Sequence, residues 1–214
     1  YPYPRAIKNI DKEIIDVGKI PIADPNFSWH LLWPEIKYQN KNLKILIAGC
    51  GTHQAAIIAR LNPQNFIVGI DLSENSIEHE NKLKKLHKLN NLKLIKNDFR
   101  KVKFDYKFDY IISTGVIHHL KEPETALKYF ENNLNKNGSI YLMVYGSKKR
   151  YALNEIIKVY KKLQFSQNEE SITSSKKIIN NLEDNHPAKL FAFKATDMQS
   201  REGIVDLLLN KQEK

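Results

Sequence analysis

Apolar positions along the chain follow two alternating rhythms. Five short runs are almost continuously apolar: Lys44–Gly49 (KILIAG), Phe66–Ile70 (FIVGI), Leu92–Ile95, Phe108–Ser113 (FDYIIS) and Ser139–Tyr145 (SIYLMVY). Runs of this kind, rich in Ile and bounded by polar residues, read as parallel strands buried on both faces. Between them the spacing turns helical. Gln54–Leu61 is a helix stopped by Asn62 and Pro63. Ser73 is placed to cap a helix that reaches Leu89, with Ile77, Leu83 and Leu86 on its apolar side. Pro123 opens another that runs to Leu134, and Asn137–Gly138 turns the chain into the fifth strand. Strands alternating with helices call for right-handed crossovers, so the predicted class is α/β, a doubly wound and mostly parallel sheet.

The flanks keep neither rhythm. Residues 1–42 read as a loop followed by amphipathic pieces, with Trp29, Leu32 and Trp33 clustered before Pro34. After Tyr145 come three helical stretches: Tyr151–Leu163, with Ile156, Ile157, Val159 and Leu163 as its apolar side, then Ser171–Asn181 and Ile204–Leu209. No pair of strands in this stretch would finish the sheet. Either the fold ends in helices, or the chain stops before its closing strands; the second reading is preferred. Three segments result: 1–42, a core at 43–146, and a helical region at 147–214.

The chemistry concentrates where the first two strands end. Ile45–Leu46–Ile47–Ala48 leads into Gly49–Cys50–Gly51–Thr52–His53, and Val68–Gly69–Ile70 ends on Asp71. Gly49 and Gly51 permit backbone dihedrals closed to other residues and close approach of a ligand. The next helix presents free amides at its start. An acid at the tip of the second strand is placed to accept from ribose hydroxyls. Together these parts describe a nucleoside-containing cofactor held at the carboxyl ends of parallel strands. A dinucleotide fingerprint would need a third glycine where Gln54 stands, which disfavours a nicotinamide dehydrogenase.

Over residues 43–146 the pattern resembles the class I S-adenosylmethionine-dependent methyltransferases, and the resemblance implies their Rossmann-like fold, cofactor and product, S-adenosylhomocysteine. In that family the turn after the first strand lies under the methionine and sugar, which falls here to Ala48, Gly49 and Gly51. The ribose-binding acid corresponds to Asp71 in VGIDLS, with Leu72 flanking the adenine. The acid after the third strand corresponds to Asp98 in IKNDFR, with Phe99 beside the ring. In FDYIISTGVIHHL, Ser113, Thr114 and Gly115 would sit below the sulfonium. The family's usual acid two places before the first glycine is Ile47 here, and its usual third glycine is His53, which would narrow the pocket or bring an imidazole toward the substrate. His118 is the candidate general base; the alternative is that His118 and His119 are simply a loop-to-helix element. The opening YPYPR resembles a segment preceding the cofactor domain in a bacterial group of these enzymes, so that Tyr1, Tyr3 and Arg5 would belong to an active-site cover.

The fourth-strand segment lacks the Asn/Asp-Pro-Pro-Tyr arrangement associated with amino methylation of nucleic-acid bases or protein glutamine. The expected acceptor is therefore a small molecule. The rival readings are an RNA- or protein-directed methyltransferase and a non-catalytic binding module that keeps the fold. The net charge of +10 favours the RNA reading, but only five of the 34 basic residues are Arg and the lysines are spread throughout. Nucleic acid is thus not the preferred partner. One cysteine, Cys50, excludes an internal disulfide framework and a multi-cysteine zinc site, and it reads as a small packing residue. Two adjacent histidines make a poor metal site, so no metal is expected. No run approaches the roughly 20 apolar residues of a membrane span, and a cytoplasmic location follows as the default. The first residue is not Met, which points to a fragment of a longer protein with additional domains or to a processed product.

Overall fold

The computed structural model describes residues 4–17, 21–39, 42–146, 148–194 and 196–209. Two compact units divide the chain, Ala6–Val144 and the stretch from Tyr145 onward. The first is built on five strands: β1 (Lys44–Ala48), β2 (Phe66–Asp71), β3 (Leu92–Lys96), β4 (Phe108–Thr114) and β5 (Leu134–Met143). They are all parallel and lie in the order β3-β2-β1-β4-β5. Chain order reverses at β1, so the crevice between the ends of β1 and β4 is the topological switch point where ligands bind in such sheets.

The continuous apolar runs are explained by burial on both sides. Ile45 and Ile47 face one half of the core with Ile67, Tyr110 and Ile112; Leu46 and Ala48 face the other with Val68, Ile70 and Ile111. The first half is covered by α1 (Ile10–Val17), α2 (Pro25–Leu32), α3 (Gln54–Leu61) and α4 (Glu74–Leu86). The second is closed by Phe99, Ala126 and Phe130, the last two on α5 (Pro123–Asn133).

Part of the chain before β1 belongs to this core. Ile7, Ile10, Ala23, Trp29 and Trp33 are buried in its first half. Asp24 caps α2 through the amide of Asn26 (2.8 Å) and accepts from Asn62 Nδ2 (2.7 Å). Tyr110 donates to the Ala23 carbonyl (2.9 Å), and Trp33 Nε1 to that of Asn137 (2.9 Å).

Three features depart from the expected pattern. β5 begins at Leu134, directly after α5, and Asn137–Gly138 lies within it rather than in a preceding turn. Its register against β4 slips between Phe108 and Tyr110, pairing Phe108 with Leu134 but Tyr110 with Ser139. Gly138 allows the slip to pack, since a Cβ there would lie 2.7 Å from Leu134 Cδ1. On α4, Leu86 is exposed at 58% while Glu80 is buried. On α6 (Tyr151–Lys162) the buried side is Leu153, Ile157 and Tyr160, at spacings of four and three, and Val159 and Leu163 face outward.

The second unit continues with α7 (Glu169–Asn181), α8 (Pro187–Lys194) and α9 (Arg201–Leu208). Its core joins Tyr160, Ile172, Ile179, Ala188, Ala192 and Val205, and the Tyr160 hydroxyl donates to the Ser175 carbonyl (3.1 Å). Among the described residues no strand follows β5, and no helix is long and apolar enough to cross a membrane.

Where α3 leaves the first turn it lies almost against β2. A Cβ on Gly69 would sit 2.7 Å from Ala55 Cβ and 3.2 Å from Cys50 Sγ. Gly69→Ala is therefore expected to lower stability by about 1–3 kcal/mol through overpacking, read from the urea midpoint; an unchanged midpoint would refute the close approach.

Candidate functional site

The turn after β1 is held from beneath by a single carbonyl. The amides of Gly49 and Cys50 both donate to Ile70 O, at 2.8 and 3.0 Å. Gly49 and Gly51 have φ of +81° and +59°, so the left-handed backbone expected here is realised at both. At Gly49 the space is closed as well, since a Cβ would fall 2.3 Å from Val116 Cγ2. Cys50 is buried between them, and burial raises its thiol well above the ordinary range, which suits a packing residue rather than a nucleophile.

Asp71, at the tip of β2, ties this turn to the next strand. Its Oδ2 accepts from the Gly51 amide and its Oδ1 from the Ser73 amide, each at 2.8 Å. Burial raises its pKa against the pull of those backbone donors. Capping of α4 falls instead to Ser73, whose hydroxyl accepts from Ser76 N.

Two amides at the start of α3 are closed by an acid that lies 25 and 24 residues beyond them. Glu80 has no accessible surface, and its two carboxylate oxygens accept the Ala55 and Ala56 amides, both at 2.9 Å. Burial pushes its pKa up to about 8, with the two amides pulling the other way. Burying an ion costs several kcal/mol, and each charged hydrogen bond returns only about 1.5–3 kcal/mol. His53, at the capping position of α3, makes no side-chain cap; its Nδ1 lies 3.0 Å from Thr52 Oγ1.

On the other side of the crevice, Ser113 is fully buried and donates to Ala48 O (3.1 Å), stitching β4 to β1. Thr114 Oγ1 accepts from Gln54 Nε2 (3.1 Å), which joins the tip of β4 to the first residue of α3. Gly115 turns the chain with φ +72°, its amide donating to Met143 O (3.0 Å). A single helical turn, Ile117–His119, follows, with His118 and His119 half-buried and their rings 4.1 Å apart.

Beyond β3, Asp98 caps the short turn Phe99–Lys101 and is gripped by Arg100, whose Nε and Nη2 reach its two oxygens at 3.0 and 2.7 Å. That hydrogen bonding holds the Asp98 carboxyl below its ordinary range. Phe99 points into the core, stacked on Phe130 at 5.5 Å and edge-on to Tyr129, so its ring is committed to packing. Leu72 is exposed at 66% beside Asp71.

Ala48, Gly49, Gly51, Asp71, Ser113, Thr114 and Gly115 thus meet at one end of the sheet. Arg5 is exposed and groups with the second unit; Tyr1 and Tyr3 lie outside the described residues. Among the described residues no group of three His, Cys, Asp or Glu side chains is placed to hold a metal ion. Val116 and Glu80 escaped the sequence reading. Glu80 had left a signal, because it falls in the same helical stripe as Ile77 and Leu83, where a charge is out of place.

The two raised and lowered carboxyls act oppositely on stability. Glu80 keeps its proton in the folded chain up to about pH 8, whereas unfolded it loses it near 4.5. Its contribution is complete below pH 4.5 and is lost as pH rises toward 8. Asp98, with a lowered pKa, contributes above its ordinary value and loses that contribution on acidification. Unfolding free energies measured from pH 5 to 8.5 are expected to fall less steeply for Glu80→Gln than for the wild type; parallel curves would refute this.

Residues 39–194 match the methyltransferase domain family. In fold the chain is similar to PKMT2 from Rickettsia typhi, with a TM-score of 0.71 at 19% identity over 100% of this chain and 41% of that one. A second structure of that protein, in complex with AdoHcy, gives 0.58 at 21% identity over 85% and 37%. An uncharacterized protein of Synechococcus sp. is 29% identical over 110 residues, 48% of this chain and 25% of that protein. The chain therefore spans less than half the length of these relatives. A glycine turn, an acid at the next strand tip and a reversal of strand order beside them agree with a family match that takes in well over half of the residues, and the chain belongs to the methyltransferase domain family.

Proposed function

We propose that this chain binds S-adenosylmethionine at the carboxyl ends of β1, β2 and β4 and methylates a small-molecule acceptor. The observation that carries the reading is the double hold of Asp71 on Gly51 and Ser73, which leaves a carboxylate at the strand tip beside two glycines in the left-handed region. The residues present suit that cofactor. In a dinucleotide site the pyrophosphate sits on the helix N-terminus; here Glu80 already accepts two of the α3 amides, which removes those donors from a phosphate. A cationic sulfonium needs no such donors.

When bound, S-adenosylmethionine supplies a methyl group already activated on sulfur. The chain's own task is then positioning and exclusion of water. In this proposal Asp71 accepts from the ribose hydroxyls, and the Gly49–Gly51 backbone bounds the sugar and methionine. Leu72 offers an exposed apolar surface to the adenine. Asp98 accepts from the adenine amino group, with Arg100 fixing its orientation and keeping it ionised. Thr114, held by Gln54, and Gly115 form the floor where the acceptor arrives. His118, half-buried on the turn after β4, takes the proton of an acceptor nucleophile that must lose one. The small-molecule acceptor rests on the segment Ser113–Gly115, which lacks the Pro-Pro-Tyr arrangement of base and glutamine methylation.

Calorimetric titration with S-adenosylmethionine tests the reading. The wild type is expected to bind in the micromolar range and Asp71→Ala to bind at least tenfold more weakly, about 1.4 kcal/mol. An intact, folded chain with no measurable affinity would overturn it.

A further inference from the structure

The cofactor role above gives Glu80 nothing to touch, yet it is the acid buried deepest beneath the site. At a helix start, four amides lack partners within the helix. At the start of α3, Gln54 N donates to Cys50 O (3.3 Å), Ala55 N and Ala56 N donate to the two oxygens of Glu80, and Ile57 N makes the first ordinary helical bond, to His53 O (3.0 Å). A local N-cap would ordinarily do this work, but the capping residue here is His53, whose ring is turned to the Thr52 hydroxyl. The cap has moved from the turn to α4.

That transfer has a geometric consequence. Between β1 and α3 the chain makes only five residues, Gly49 to His53, two of them glycines with positive φ and wide conformational freedom. One end of this turn is fixed by Ile70 O, and its middle by Asp71 through the Gly51 amide. Its far end is the first turn of α3, and Glu80 holds that. Gly69 lets α3 approach β2 closely enough for the carboxylate to arrive, with Ala55 Cβ placed 2.7 Å from where a Cβ on Gly69 would be. Gln54, the residue just before the two capped amides, in turn carries the bond to Thr114 on β4. Both walls of the crevice are therefore referred to one side chain.

We propose that Glu80 is a positioning residue of the methyltransferase site: by capping α3 from α4 through the Ala55 and Ala56 amides, it holds the Gly49–Gly51 turn and the Gln54–Thr114 bridge in the shape that accepts S-adenosylmethionine. The inference rests on the cofactor reading given above, and the test separates the two. Nearby ionisable groups are Asp71, whose two oxygens already accept from the Gly51 and Ser73 amides, and Cys50, whose thiol burial keeps protonated and a weak acceptor. Gln at position 80 keeps one acceptor and the full side-chain length, whereas Ala keeps neither.

The wild type, Glu80→Ala, Glu80→Gln and Leu83→Ala are compared at a temperature where all four are folded by circular dichroism. Leu83 is buried on the same helix at 2% exposure and caps nothing, so it reports simple loss of stability. Calorimetry with S-adenosylhomocysteine is expected to show Glu80→Ala weakened at least tenfold, Glu80→Gln by threefold or less, and Leu83→Ala by twofold or less. In amide spectra of the ligand-free proteins, Glu80→Ala is expected to displace the Gly51 resonance and speed exchange at Ala55 and Ala56, with Leu83→Ala leaving these in place. Should Glu80→Ala fail to fold, the Gln variant carries the test, with a shifted Gly51 resonance and partial loss of affinity supporting the proposal. Equal losses for Glu80→Ala and Leu83→Ala, or an unmoved Gly51 resonance in Glu80→Ala, would overturn it. A wild type that does not bind the ligand overturns the cofactor reading alone, since the spectra of the free proteins still decide whether Glu80 sets the turn.

Discussion

Ile45, Leu46, Ile47 and Ala48 have no accessible surface, and a strand buried on both faces in this way can meet a ligand only at its end. That constraint governs the rest of the first unit. Because β1 is central and its neighbours run parallel to it, every connection must cross the sheet, and the ends of β1, β2 and β4 open on one edge. The chain must then leave β1 and enter α3 within five residues while staying close to β2. Two positive-φ glycines, a glycine on β2 and a small Ala55 are what that geometry requires. The substitution of Ile for an acid at position 47 fits the same constraint: its side chain lies inside the first half of the core, where a carboxylate would need a partner.

The strands, the class of the sheet and the residues at its switch point were readable because each leaves a short-range mark. A parallel strand covered on both sides is a continuous apolar run, and a tight ligand turn is a glycine pair followed by an acid at fixed distance. What escaped reading depends on partners far apart in sequence. Leu86 and Leu163 look like core residues by periodicity, yet both are exposed, on sides of α4 and α6 that none of the described residues covers. Phe99 follows its acid as the resemblance requires, but Phe130 on α5 captures the ring. The slip of β5 against β4 has its cause in Gly138 and Leu134 meeting across Asp109, and no local pattern announces it. Asp98 shows the limit from the other side: the residue was legible, and its partner Arg100 was equally visible two places on, but only the fold shows the guanidinium turned back onto both oxygens.

Charge at the site differs from charge on the surface. The chain carries a formal +10, spread mostly as lysine, whereas the elements around the first turn bring together the acids Asp71 and Asp98, with Glu80 beneath them keeping its proton up to about pH 8. In the proposed complex the carboxylates of Asp71 and Asp98 give the crevice a local sign that suits a cationic sulfonium, and charges elsewhere on the surface are screened from it by solvent and salt.

The stitching of residues 21–39 into the core also bears on how the protein is made. Tyr110 reaches the Ala23 carbonyl across 87 positions, Trp33 reaches Asn137 across 104, and Ser139 reaches Leu32 across 107. α2 therefore leaves the ribosome long before any of these partners exists. At about 5–20 residues per second, it waits several seconds for them, and the core of the first unit cannot be completed until its last strand has been made.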